Sequence, residues 1–182
     1  YQFFFNAYTS SPEQIIYIYE HSGRVSFETT PNAWGYTAEA QCPATCAVDI
    51  TDNSWHMLTG TFDVNGSIKL YIDGVLQHAD STDRNAPDGY SGGFSVDDVA
   101  FGHRYDVSYQ NVDEATYDEW GFWTDVLTQE EVTALYADGS GVTFTDVPKD
   151  NLYAYYDFEQ TDTTATNKAT TIVQTTGIVA GG

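Results

Sequence analysis

The chain has 182 residues, of which 41% are hydrophobic and 15% aromatic, enough apolar material to bury an interior within one domain spanning 1–182. Six basic residues face 27 acidic ones, a net charge of −21 with no basic stripe, so phosphate backbones are repelled and nucleic acid is excluded as a partner. No apolar run approaches the roughly 20 residues that a bilayer-spanning helix needs, and an anionic membrane surface is as poor a partner, so no membrane insertion is expected.

The acidic surplus has two readings. One is solubility in salty surroundings, where ions screen self-repulsion within about 8–10 Å. The other is convergence of some acids on Ca²⁺, a hard cation that takes oxygen ligands. Tyr1 reads as the start of a processed or excised piece, so the chain is expected to be part of a larger multidomain protein.

In chain order, Phe3-Phe4-Phe5 opens an aromatic-rich strand that Ser10-Ser11-Pro12 breaks. Gln14 to Glu20 and Val25 to Glu28 flank His21-Ser22-Gly23-Arg24, which predicts a hairpin with Ser-Gly at its tip and with Ile16 and Ile18 in the core. Residues 30–53 carry few strand signals and read as a long loop, the kind that is often functional. Trp34 and Tyr36 in it are candidates for stacking on sugar rings, and Trp34 equally suits plugging the core's edge. Cys42 and Cys46 have too few Cys or His neighbours for a zinc site. They read as a small-loop disulfide of an oxidising compartment, or otherwise as two reduced thiols.

Residues 55–76 specify three consecutive strands. Trp55 to Phe62 sets Trp55, Met57, Thr59 and Thr61 against His56, Leu58, Gly60 and Phe62, with large apolar groups on both faces, so this strand is expected to be covered on both sides. Residues 63–67 supply turn chemistry, and Ile68, Leu70 and Ile72 then share one face while Lys69, Tyr71 and Asp73 share a wetter one. Asp73-Gly74 between β-formers predicts a tight hairpin. The stretch 79–93 is polar and glycine-rich, and Phe94 to Gly102 returns as a strand. Residues 103–114 open a further loop, in which Arg104 suits an ion pair with Asp106 or Asp113, or ligand recognition. In the strand predicted over 116–123, Asp118 and Glu119 point to opposite sides unless a bulge intervenes. Thr128-Gln129-Glu130-Glu131 is a capping box, Val132, Leu135 and Tyr136 come next at helical spacing, and Gly139 stops a helix near 128–138. Asn151 to Glu159 is a late strand, and residues 172–180 are a candidate last one.

Trp55-His56, Gly60-Thr61-Phe62-Asp63 and Lys69 to Gly74 together resemble the central motif of laminin G-like jelly rolls in the concanavalin A-like lectin and glucanase superfamily. Phe101-Gly102, Asp118-Glu119-Trp120 and residues 127–132 resemble that family's closing strand and short helix. The resemblance implies an all-β fold, an antiparallel two-sheet jelly-roll sandwich with one short helix. It also implies carbohydrate or protein ligands at extracellular surfaces, in a secreted or cell-surface protein. The strand at 151–159 resembles the family's opening strand; residues 151–182 then either complete the sheet in cis or begin a following repeat.

In jelly-roll lectins the connecting loops line the binding rim. That places Asp83, Arg84, Asn85, Asp88 and Tyr90 in a first ligand-contact group, with Arg104 and Tyr105 beside it. The resemblance also carries a structural calcium onto Asp118, with Asp113 and Glu114 as loop partners. Jelly-roll glucanases place their acids in a Glu-x-Asp-x-x-Glu pattern, which this sequence does not contain, and no Ser or Cys stands at recognisable motif spacing from a His. A non-catalytic carbohydrate-recognition module is therefore expected, with a structural or adhesive module as the alternative and a glycoside hydrolase third.

Overall fold

The structure is a computed structural model in which residues 2–10, 13–30, 38–42, 46, 48–63, 67–80, 98–102, 115–143, 146–148, 150–159 and 167–169 are described. These fall into two compact units, residues 1–115 and 116–182.

The first unit contains a five-stranded antiparallel sheet in the order β4-β3-β2-β1-β8, formed by β1 (Gln2–Ser10), β2 (Glu13–His21), β3 (Arg24–Thr30), β4 (Ala38–Gln41) and β8 (Asp98–Phe101). A three-stranded antiparallel sheet stands against it, built from β5 (Leu58–Phe62), β6 (Ile68–Ile72) and β7 (Val75–Asp80) in sequence order. Both predicted hairpin tips form as expected. Ser22 and Gly23 have φ of 56° and 79°, and Asp73 and Gly74 have φ of 54° and 75°, the paired positive values of a two-residue turn matched to strand twist.

The register explains which residues make the interior. Phe27 pairs with Ile18 on one side and Ala40 on the other, so Phe5, Ile18, Phe27 and Ala40 line one face of the large sheet. Across from them, Phe62 pairs with Ile68, Gly60 with Leu70 and Leu58 with Ile72. The Phe27 and Phe62 rings meet with centroids 6.2 Å apart, and Ile68, Leu70 and Ile72 are buried. Gly60 is the tightest point between the sheets: a Cβ there would lie 2.3–2.5 Å from Phe27 ring carbons. Only a residue without a side chain lets Phe27 lie flat against the β5 backbone.

The opposite face of the large sheet is covered too, because Phe3, Ile15, Tyr17 and Tyr19 form a buried cluster there. Phe3 and Tyr17 meet edge-on at 5.3 Å, a favoured aromatic geometry. Ile18 is in the core as expected, but Ile16 is only half-buried, and Ile15 on the outer face is the better protected of the two. Burial on the second face of β5 holds at Thr61, whereas Trp55 is 65% exposed and the strand begins only at Leu58. The expected wet face of β6 is half-buried at Lys69 and Asp73 and fully covered at Tyr71. Within the stretch read as a long loop, residues 38–41 instead form β4 against β3, with Ala40 and Ala38 opposite Phe27 and Thr29.

In the second unit, β9 (Trp120–Trp123) pairs antiparallel with β10 (Leu152–Tyr156), and α1 spans Gln129–Tyr136. The strand read from 116 starts at Trp120, because Glu119 takes φ of 55° and ends the alternation. The capping box forms: the Thr128 hydroxyl accepts from the Glu131 amide at 3.2 Å, and the Thr128 amide donates to the Glu131 carboxylate at 2.7 Å. Val132 and Leu135 are buried. The helix stops before Gly139, since Ala137 is already left-handed with φ of 47° and begins a short 3₁₀ turn (Ala137–Gly139). Beside β10, Asn167 accepts from the Tyr155 amide at 3.0 Å, and the Lys168 ammonium pairs with the buried Asp157 carboxylate. The candidate strand 172–180 lies outside the described residues.

Gly60→Ala forces Phe27 from its place, an overpacking cost of about 1–3 kcal/mol, read as a lower urea midpoint with an unchanged m-value. Thr128→Ala removes one half of the capping box at a cost of about 1 kcal/mol, read as a smaller loss in the same assay.

Candidate functional site

Most of the residues expected to contact ligand lie outside the described residues: Trp34, Tyr36, Asp83, Arg84, Asn85, Asp88, Tyr90, Arg104 and Tyr105, and with them Asp113 and Glu114 of the calcium set. Asp118 is described and exposed, and one of its oxygens accepts from the Glu119 amide at 3.0 Å. Burial, and then the charges of Asp118 and Glu159, raise the Glu119 carboxyl above its ordinary value, so the two adjacent acids sense one another despite their expected opposite directions. Among the described residues no three His, Cys, Asp or Glu side chains converge to hold a metal ion. Cys42 and Cys46 form a disulfide with Cα atoms 5.2 Å apart, within the usual span.

The built polar feature of the described structure lies at one end of the three-stranded sheet, around His56, which the sequence offered only as part of the family motif and not as a site residue. Pairing of Leu58 with Ile72 brings the residues before β5 alongside the Asp73-Gly74 turn. Asp73 uses both carboxylate oxygens there: one accepts from the Met57 amide at 2.9 Å and the other lies 2.9 Å from His56 Nδ1. The Asp73 amide in turn donates to the Met57 carbonyl at 2.9 Å, continuing the ladder past the strand's end. His56 Nε2 lies 3.0 Å from Asp52, four residues back. Both ring nitrogens thus face carboxylate oxygens, which only accept. Only the doubly protonated imidazolium can donate to both. Burial works against that charge, and the bonds to Asp73 and Asp52 outweigh it, raising the imidazole above its ordinary value.

Two short side-chain turns precede this array. Asp49 accepts from the amide and hydroxyl of Thr51 at 2.9 and 2.6 Å, and Asp52 accepts from the Ser54 amide at 2.7 Å. Both carboxyls are held below their ordinary range, Asp49 first by the Thr51 hydroxyl and Asp52 first by His56. The three carboxylates and one imidazolium leave this end of the sheet acidic.

Three large apolar side chains that flank these residues in sequence are exposed. Trp55 immediately precedes His56, while Val75 and Leu76 come directly after the Asp73-Gly74 turn; these three are 65%, 60% and 42% exposed. An exposed indole can stack on a flat apolar ring. The signal for this site was present in the sequence as Trp-His at the start of one strand and Asp-Gly at the end of the next, whose mutual distance only the register reveals.

A second polar group sits on the outer face of the large sheet. Glu28 and Glu39 stand directly opposite across β3 and β4, and the Tyr19 hydroxyl lies 3.1 and 3.2 Å from their oxygens. Burial, and after it the two carboxylates, raises the Tyr19 hydroxyl far above its ordinary value, so it stays a neutral donor.

His56 gives the fold a pH dependence of known sign. A group whose folded value is raised contributes stability below its unfolded value of about 6.5, and that contribution disappears as pH rises through the folded value. The stability difference between the wild type and His56→Gln, measured by urea unfolding, is therefore expected to be greatest at acidic-to-neutral pH and to shrink on the alkaline side. A difference that grows with pH would contradict the imidazolium assignment.

No curated protein sequence and no solved structure matches the chain. A laminin G family model, described as the concanavalin A-like lectin/glucanases superfamily, matches residues 2–133, the span that holds both sheets of the first unit and the capped helix start. Its match covers well over half of the sequence and agrees with the stacked antiparallel sheets: the chain belongs to the laminin G-like part of the concanavalin A-like lectin/glucanases superfamily.

Proposed function

We propose that this chain is a non-catalytic recognition module of a secreted or cell-surface protein, and that it binds carbohydrate. The observation that carries the reading is Trp55, a large aromatic side chain left 65% exposed at the residue before His56, whose ring two carboxylates hold. An exposed indole offers a flat apolar face at little conformational cost. The Cys42–Cys46 disulfide supports an oxidising compartment, and the net charge of −21 suits a protein that meets salty surroundings. The absence of a Glu-x-Asp-x-x-Glu stretch from the sequence supports recognition without hydrolysis. A calcium ion held by Asp118 with Asp113 and Glu114 would stabilise the loops that join these strands.

The test is a glycan array probed with the intact chain in calcium and in EDTA. At least one glycan is expected to bind, and Trp55→Ala is expected to weaken it by about tenfold or more, the loss of roughly 1.4 kcal/mol of stacking. An array blank in both buffers favours the structural or adhesive reading, and release of reducing sugar would reverse the non-catalytic one. If calcium is bound, millimolar calcium raises the melting temperature of the wild type, and Asp118→Asn reduces the rise.

A further inference from the structure

The second unit sets a primary amine against a carboxyl group that the fold has taken out of water. Asp157 is 5% exposed, and the Lys168 ammonium is bound to one of its oxygens. Lys168 is one of only six Lys and Arg residues in the chain, so a cation at this point is not a matter of abundance. Backbone bonds deliver it. The Lys168 amide donates to the Tyr155 carbonyl at 2.9 Å, and the Asn167 side-chain oxygen accepts from the Tyr155 and Ala169 amides, each at 3.0 Å. A strand residue points its N–H and C=O to the same edge, so residues 167–169 run along the edge of β10 that β9 leaves open. Tyr155 and Ala169 are buried on either side of this junction, and Asp157 follows Tyr155 by two positions. The amine and the carboxyl therefore meet in a place that the main chain and Asn167 have fixed in advance.

We propose that Lys168 and Asp157 condense into an intramolecular amide, a side-chain cross-link that fastens residues 167–169 to the end of β10. The reaction needs a neutral amine and a neutral acid, and proton transfer within the pair supplies both. Burial favours that transfer, because two charges held out of water cost more than the uncharged pair. The Lys168 Nζ lone pair then attacks Asp157 Cγ. A proton passes from the nitrogen to the departing hydroxyl, and one water leaves. An Nζ–Cγ bond forms, a Cγ–O bond breaks, and no atom changes its oxidation state, so no co-reactant is required. Two groups held in contact by the fold react as one molecule, at an effective concentration far above that of a free amine and acid. The product has no charge left to solvate, and the low exposure of Asp157 restricts the water that the reverse reaction consumes.

The experiment weighs the intact chain by mass spectrometry, with the disulfide reduced and the protein denatured, both fresh and after prolonged incubation in the folded state. The wild type is expected one water lighter than its sequence. Lys168→Arg keeps the cation and loses the primary amine, and is expected at its full sequence mass; a cooperative urea transition checks that it folds. Trypsin supplies a second reading on the wild type alone. It cuts after Lys149 but is expected to leave the acylated Lys168 uncut, giving one peptide that runs from Asp150 past Lys168 with the same water missing.

A wild type at full sequence mass after incubation, cut normally after Lys168, overturns the proposal and leaves a buried ion pair. A water loss that persists in Lys168→Arg belongs to an aspartate closing on its own backbone and overturns it as well. Loss of the water in the wild type alone, with fragment ions joining Asp157 to Lys168, establishes the cross-link.

Discussion

The Asp73 carboxylate holds together the end of the molecule on which the functional reading turns. One of its oxygens is bound by the Met57 amide and the other by the His56 ring, while its own amide returns a bond to Met57. A carboxylate that accepts from both a backbone amide and an imidazolium is a stronger tie than a neutral pair, and here it acts at the point where β5 has not yet begun. Asp73 can do this because it occupies the left-handed position of a two-residue turn, which points its side chain back across the neighbouring strand. Position, turn type and bond are one arrangement. Without that tie, the His56 ring and the Met57 amide would lose the carboxylate that fixes them at the sheet's end.

The same economy appears between the sheets. Phe27 is accommodated only because β5 carries glycine at residue 60, and the ring then reaches Phe62 on the same strand. On the far side of the large sheet a separate aromatic cluster excludes water from Phe3, Ile15, Tyr17 and Tyr19. A sheet covered on both faces explains why β2 reads in sequence as a nearly continuous apolar run and not as strict alternation.

What the amino-acid sequence made legible was local: Ser22-Gly23 and Asp73-Gly74 fix their turns by themselves, and Thr128 with Glu131 fixes the start of the helix. The superfamily was legible from the order of such pieces. What escaped had non-local causes. Residues 38–41, Ala-Glu-Ala-Gln, carry no β-branched or aromatic side chain; they are a strand because they pair with Ser26 to Thr29 and the small, fully buried Ala40 suits the place beside Phe27. Glu119 breaks its strand at a positive φ that neither glycine nor asparagine announces. His56 was read only as part of the family motif, and not as a site residue, because its partners lie 4 and 17 positions away on opposite sides, and only the pairing of β5 with β6 brings Asp73 to it.

The short β4 closes one margin of the five-stranded sheet, and the sulfur bridge from Cys42 begins directly at its end. Four residues present few unsatisfied amides and carbonyls to a foreign chain, and Cys42 turns its own amide inward to the Val25 carbonyl at 3.0 Å. Fibril-like stacking, the standing hazard of open β-sandwiches, is thereby denied a long template along this border.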